Sequence, residues 1–116
     1  MNEPTSLKVE DRDNGLKLIH FYGDLDSLGS RTVEKSFAEA INDRTNRVLV
    51  ELSHVDFISS AGLAMLLVKG KMLREAGGNM IIVGASQRVH EVLILAGFHD
   101  LFNIYETLNE ALENLG

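Results

Sequence analysis

Val48-Leu49-Val50-Glu51-Leu52, Ser53-His54-Val55-Asp56-Phe57-Ile58 and Ser59-Ser60-Ala61-Gly62-Leu63 run consecutively and decide the fold of this chain. The first part is a nearly unbroken apolar run of strand length, as expected where both faces of a strand are covered. From about Ala61 to Ala76 the apolar residues recur at helical spacing instead. One of the two serines therefore falls at or near a helix N-terminus, among backbone N–H groups that lack intrahelical acceptors. Such a junction suits a phosphate, although Ser is also a preferred capping residue and a plain N-cap fits the same pattern.

Working outward, Leu7–Glu10 and Leu16–Phe21 are strand-like runs joined across Asp13-Asn14-Gly15. Asn-Gly tolerates positive φ at both positions, so an antiparallel hairpin is expected to open the fold. After Gly23-Asp24-Leu25-Asp26-Ser27, the residues Val33, Phe37, Ala40 and Ile41 mark a first amphipathic helix. The second helix ends near Gly77-Gly78, and Met80–Val83 is another apolar strand. Ser86 is placed to cap a third helix carrying Val89, Val92, Leu93 and Ala96, with Gly97 ending it in a left-handed conformation. A short strand over Phe102–Tyr105 follows, then a terminal helix announced by the capping-box spacing of Thr107 and Glu110. Strands alternating with helices predict an α/β domain with a mixed, mostly parallel sheet of about five strands and about four helices. No repeat or linker is visible, so residues 1–116 are expected to form a single domain.

Composition narrows the function classes. The chain has 116 residues, 45% of them hydrophobic, 24% charged and one proline, which fits a packed core rather than disorder. A net charge of −6 without any Lys/Arg cluster argues against nucleic acid as the main partner. The absence of cysteine removes disulfides and thiolate metal sites. No basic-then-apolar leader opens the chain and no apolar run approaches the ~20 residues of a membrane span, so a cytoplasmic protein away from the membrane is expected.

In parallel sheets the loops leaving the carboxyl ends of strands gather on one edge, which predicts that Asp24, Asp26, Asp56, Ser59, Ser60 and Ser86 share a neighbourhood. A phosphate on Ser60 would bring about −1.5 to −2 charges to a helix start and block the close approach of another surface. The second helix carries Ala61, Leu63, Ala64, Met65, Leu66, Leu67, Val68, Met72 and Leu73, more than one narrow apolar stripe. It either leaves apolar surface for a partner or is wholly buried against the sheet. Asp24 and Asp26 lack the neighbouring ligands of a metal or acid/base site and read as turn residues or as acids steering a basic partner. His20, His54, His90 and His99 are scattered without metal spacing. No nucleotide-binding glycine pattern, phosphate-loop lysine or Gly-x-Ser-x-Gly elbow is present, so neither catalytic residues nor a cofactor is expected. The central strand also lacks the paired acids of a phosphoaspartate receiver domain.

Taken together, Val55-Asp56-Phe57-Ile58-Ser59-Ser60-Ala61-Gly62-Leu63, Gly23-Asp24-Leu25-Asp26, Ala76-Gly77-Gly78-Asn79-Met80 and Leu95-Ala96-Gly97-Phe98 resemble, in order and separation, the anti-anti-sigma factors of the STAS family. The resemblance covers nearly the whole chain and implies a partner switch. The unphosphorylated protein would bind a kinase-fold anti-sigma factor, the kinase would phosphorylate a serine, and a metal-dependent serine phosphatase would reset it. Counting back from Gly62, the acceptor falls on Ser60, with Ser59 the second choice. The contact surface implied comprises Asp24, Asp26, Ser59, Ser60, Ala61, Gly62, Leu63, Met65 and Leu66. The chain departs from the family pattern at Ser59, where the best-known members carry Asp, so a hydroxyl replaces a charge beside the acceptor. The alternative is a STAS scaffold or ligand-binding module that is never phosphorylated and controls another process, such as secretion or motility.

Overall fold

The computed structural model describes residues 4–41 and 47–115. Strands β1 (Ser6–Asp11) and β2 (Leu16–Tyr22) pair antiparallel, from Ser6↔Tyr22 to Asp11↔Lys17. The chain reverses between them through Asn14 at φ 63° and Gly15 at φ 75°, the left-handed pair that the Asn-Gly dipeptide was expected to supply. Helix α1 (Ser27–Ala40), strand β3 (Arg47–His54), helix α2 (Ser60–Glu75) and strand β4 (Asn79–Val83) follow. Helix α3 (Gln87–Leu95), strand β5 (Asn103–Tyr105) and helix α4 (Leu108–Glu113) complete the fold. The strands lie in the order β1-β2-β3-β4-β5, and every pair after the first is parallel.

Alternation along the strands gives the sheet two unequal faces. Ile19 and Phe21 of β2, Val48, Val50 and Leu52 of β3 and Met80 and Ile82 of β4 form one core with Val33 and Phe37 of α1, Leu66 and Leu73 of α2 and Val89 and Leu93 of α3. Leu16, Leu18, Leu49, Ile81 and Val83 form a second core closed by Ala111 of α4. β3 is apolar on both sides because both cores meet on it, which is why its sequence reads as a run rather than an alternation.

Two expectations are adjusted. Phe102 lies before β5 rather than in it, buried against Phe98, and it occupies the space that a Cβ on Gly70 of α2 would need. A 3₁₀ turn over Phe98–Asp100, entered through Gly97 at φ 79°, carries Phe98 of this pair and has no periodic signature of its own. At α4 the Thr107 hydroxyl accepts from Glu110 N as anticipated, at 3.1 Å, but the Glu110 carboxylate reaches back to Glu106 N rather than to the cap residue.

Candidate functional site

The loops after β2 and β3 are joined to each other. Gly23 N donates to His54 O, Leu25 N to Phe57 O and Ser59 N to Leu25 O at 2.9–3.1 Å, and Leu25 and Ile58 form an isolated parallel bridge. Buried side chains at Leu25, Val55 and Ile58 anchor both loops to the core. α1 and α2 consequently start side by side on the carboxyl edge of the sheet.

The two serines of the junction have different roles. Ser59 is the N-cap of α2, with φ −95° and ψ 177°, and its Oγ accepts from Gly62 N at 3.4 Å while donating to Leu25 O at 3.2 Å. Ser60 is the first helical residue, exposed, and its hydroxyl makes no hydrogen bond among the described residues. The hydroxyl engaged in structure is therefore Ser59, and the free one is Ser60. Gly62 is fixed by crowding, since a Cβ there would stand 2.5 Å from Leu25 O.

Asp26 caps α1, its Oδ1 accepting from Gly29 N at 2.7 Å, and Thr5 Oγ1 donates to the backbone carbonyl of Asp24 at 2.6 Å. Ser86 caps α3 through Val89 N at 3.2 Å. Its loop adjoins the strand end below, with Gly84 against the Glu51 carboxylate, but no hydrogen bond among the described residues joins it to the other two loops. Asp56 is exposed on the second loop.

Along α2 the expected contact residues separate. Leu66 has no accessible surface, Met65 is 8% exposed and Gly62 is buried, so Leu66 belongs to the core and its assignment to a contact surface is corrected. The helix period explains this: positions 62, 65, 66 and 73 share the sheet-facing side. Ser60 and Ala64 are exposed, Ala61 and Leu63 half-buried, and Val68 and Met72 just over half exposed, so the helix presents an apolar outer stripe as well as an inner one. Leu28, in the first turn of α1, and Phe57, on the loop after β3, are 70% and 46% exposed. Neither belongs to the contact surface expected from the sequence, although each is a large apolar residue outside any core periodicity, Leu28 at a helix start and Phe57 in a loop. A groove of about 450 Å³ separates the helices, lined by Ser27 and Arg31 of α1 and by Ala61, Ala64, Met65 and Val68 of α2.

Among the described residues no group of three or more His, Cys, Asp or Glu is arranged to hold a metal, and no helix is long and apolar enough to cross a membrane. The arrangement offers an exposed hydroxyl at the positive end of a helix, bordered by exposed apolar side chains.

Residues 7–111 match the STAS domain model, and the chain belongs to that family. Relatives carry the name anti-sigma factor antagonist: an anti-sigma F factor antagonist of Paenibacillus polymyxa is 28% identical over 112 residues, covering 95% of this chain and 96% of the relative. The crystal structure of an anti-sigma factor antagonist from Mycobacterium paratuberculosis superposes with a TM-score of 0.85 at 26% identity, covering 94% of this chain and 92% of that one. The fold is also that of the Bacillus cell fate determinant SpoIIAA in its phosphorylated form, with a TM-score of 0.73 at 18% identity over 96% of this chain and all of the other.

Proposed function

We propose that this protein is an anti-sigma factor antagonist of the cytoplasm that works as a partner switch, with Ser60 as its phosphoacceptor. The observation that carries this reading is the division of labour at the junction: Ser59 supplies the cap, leaving an exposed and unbonded Ser60 hydroxyl at the first position of α2. In the unmodified state, Leu28, Phe57, Ala64 and Val68 offer apolar surface around that hydroxyl to a kinase-fold anti-sigma factor. Asp24, Asp26 and Asp56 set an acidic border that steers a basic surface toward it. ATP and magnesium belong to the partner, and this chain is substrate and binder. A phosphate on Ser60 is tolerated by the folded protein, because the helix N-terminus favours negative charge. It is not tolerated by the complex, where a dianion must lose its water against apolar groups. A metal-dependent serine phosphatase restores the binding form. The names of the relatives and the existence of a phosphorylated protein of this fold support the reading.

The test is direct. The kinase-fold anti-sigma protein encoded nearest to this gene, mixed with ATP and magnesium, should label the wild type and leave Ser60→Ala unlabelled. Ser60→Asp should bind that partner at least about tenfold more weakly, a difference of about 1.4 kcal/mol. Full labelling of Ser60→Ala, or wild-type affinity of Ser60→Asp, would refute the proposal.

A further inference from the structure

Strand β1 is an edge of the sheet: among the described residues it pairs with β2 and with no other strand. The hairpin fixes which of its backbone groups face outward. Arg12 N donates to Leu16 O at 2.8 Å, so the residue pair that follows Asp11↔Lys17 is a hydrogen-bonded one. Antiparallel ladders alternate bonded and non-bonded pairs, and the unbroken register carries that alternation back to Glu10↔Leu18 and Lys8↔His20. The N–H and C=O groups of Leu7, Val9 and Asp11 therefore point away from β2. The far side of β2 agrees, since Gly23 N, two residues beyond Phe21, turns toward β3 and donates to His54 O.

We infer that β1 is a docking edge for a second copy of this chain, the two β1 strands running antiparallel about a two-fold axis through Val9. In that register Val9 faces the second copy's Val9, Leu7 faces its Asp11, and Lys8 faces its Glu10. Leu7, Val9 and Asp11 are the residues whose main-chain groups are free, so each donates once and accepts once across the axis.

Charge selects the same register and the same partner. Edge strands commonly carry charges that discourage a further strand. In β1 the charges flank Val9 with opposite signs, so antiparallel self-pairing sets Lys8 against Glu10 on each side of the axis, on one face of the sheet. Lys8 is exposed and makes no ion pair or hydrogen bond among the described residues, and Glu10 is already oriented by Arg12 and His20. Moving the axis by one residue, to Lys8 or to Glu10, would set like charges opposite each other and present N–H groups already bonded to β2. On the other face Val9, 37% exposed, gains an apolar neighbour in its own counterpart, and Asp11 is compensated by Lys17 at 3.5 Å. A strand of uniform charge could satisfy only half of this pattern, which singles out a second copy. Strands β2 to β5 are parallel within each copy, so the two-fold axis directs the two carboxyl edges in opposite directions. The interface is built from β1 and does not involve α2, leaving Ser60 of each copy outside it.

Sedimentation equilibrium of the full chain over a concentration series should give a reversible monomer–dimer curve. A wild type that stays monomeric up to about 1 mM overturns the inference. Amide exchange followed by NMR at low and high concentration reads the register: the amides of Leu7, Val9 and Asp11 should slow in the dimer, while those of Lys8 and Glu10, already bonded to β2, should not change. A dimer in which those three amides exchange as in the monomer uses another surface and also overturns it. Val9→Pro removes an N–H that β2 does not use, so the hairpin should persist while the dissociation constant rises at least about tenfold. Lys8→Glu and Glu10→Lys should each weaken the dimer at least about tenfold, and an equimolar mixture of the two should recover it, because each strand then meets one of opposite charge. Recovery in the mixture cannot arise from misfolded chains, and its failure would refute the pairing. The inference does not rest on the partner-switch reading, which is tested by labelling of Ser60 and is unaffected by the outcome.

Discussion

At the residue scale, Ser59 and Ser60 are chemically identical neighbours separated by one backbone torsion. The extended backbone at 59 turns its Oγ back over the helix entrance, where it accepts from Gly62 N and donates to Leu25 O. The helical backbone at 60 turns its Oγ outward. Replacing Ser59 by Ala removes a cap and one of the ties between the two loops, and should lower unfolding stability by about 1 kcal/mol. Replacing Ser60 by Ala removes no hydrogen bond among the described residues and should stay within about 0.5 kcal/mol of wild type. Urea denaturation of the two variants measures the contrast, and equal losses would show that the roles are misassigned. The presence of a phosphate-compatible helix start was legible in the sequence. Which serine caps it was not legible from the two residues themselves, because the choice depends on a carbonyl supplied by Leu25, in another loop. The residue types on either side of the junction carry no record of that contact.

At the element scale, the opening hairpin shows how a local signal and a distant contact combine. Asn14-Gly15 sets the turn, and the register then brings Glu10 of β1 to 3.4 Å from His20 Nε2 of β2 and to 2.8 Å from Arg12 Nε. His20 Nδ1 in turn stands 3.6 Å from the carboxylate of Glu51 on β3, so the outer strand is linked electrostatically through β2 to the centre of the sheet. The hydrogen bond to His20, aided by Arg12, holds the Glu10 carboxyl below its ordinary value of 4.5. A carboxylate depressed in the folded state contributes stability above its unfolded pKa and loses that contribution as pH falls through the folded value. The stability advantage of wild type over Glu10→Gln should therefore be present at neutral pH and shrink below pH 4.5. Thermal midpoints of the two proteins across that range measure it, and parallel curves would rule the linkage out. The elements themselves were largely readable, since each strand is an apolar run between turn residues and each helix has a capping residue before it. Helix α2 was the exception. Its apolar residues cover both sides, and only the packed structure shows that Leu66 and Leu73 face the sheet while Val68 and Met72 do not.

At the scale of the whole molecule, the two faces of the sheet are protected very differently. Three helices cover one face, whereas α4, six residues long, closes the core on the other. α4 contributes a buried Ala111 flanked by half-buried Leu108 and Leu112, and Arg47 Nη1 fastens the chain beyond it by donating to Leu115 O at 3.0 Å. The edge that carries Ser60 lies at the carboxyl ends of the strands, and neither joined loop belongs to the core that α4 closes. The second core can therefore be weakened without altering the edge. Ala111→Asp places an uncompensated carboxylate against Leu18, Leu49, Ile81 and Val83, an arrangement too costly to persist. The protein escapes that cost by releasing α4, so the loss of stability is limited to the free energy that holds α4 down. Burial of one small and two half-covered apolar side chains sets that limit at about 3 kcal/mol. Amide hydrogen exchange should show protection vanishing in α4 and weakening at the exposed start of β5, while β3, at the centre of the sheet, remains protected. Ser60 in this variant should remain as accessible as in the wild type. If β3 lost protection together with α4 under native conditions, the two cores would be a single cooperative unit, and the edge that carries Ser60 would depend on both.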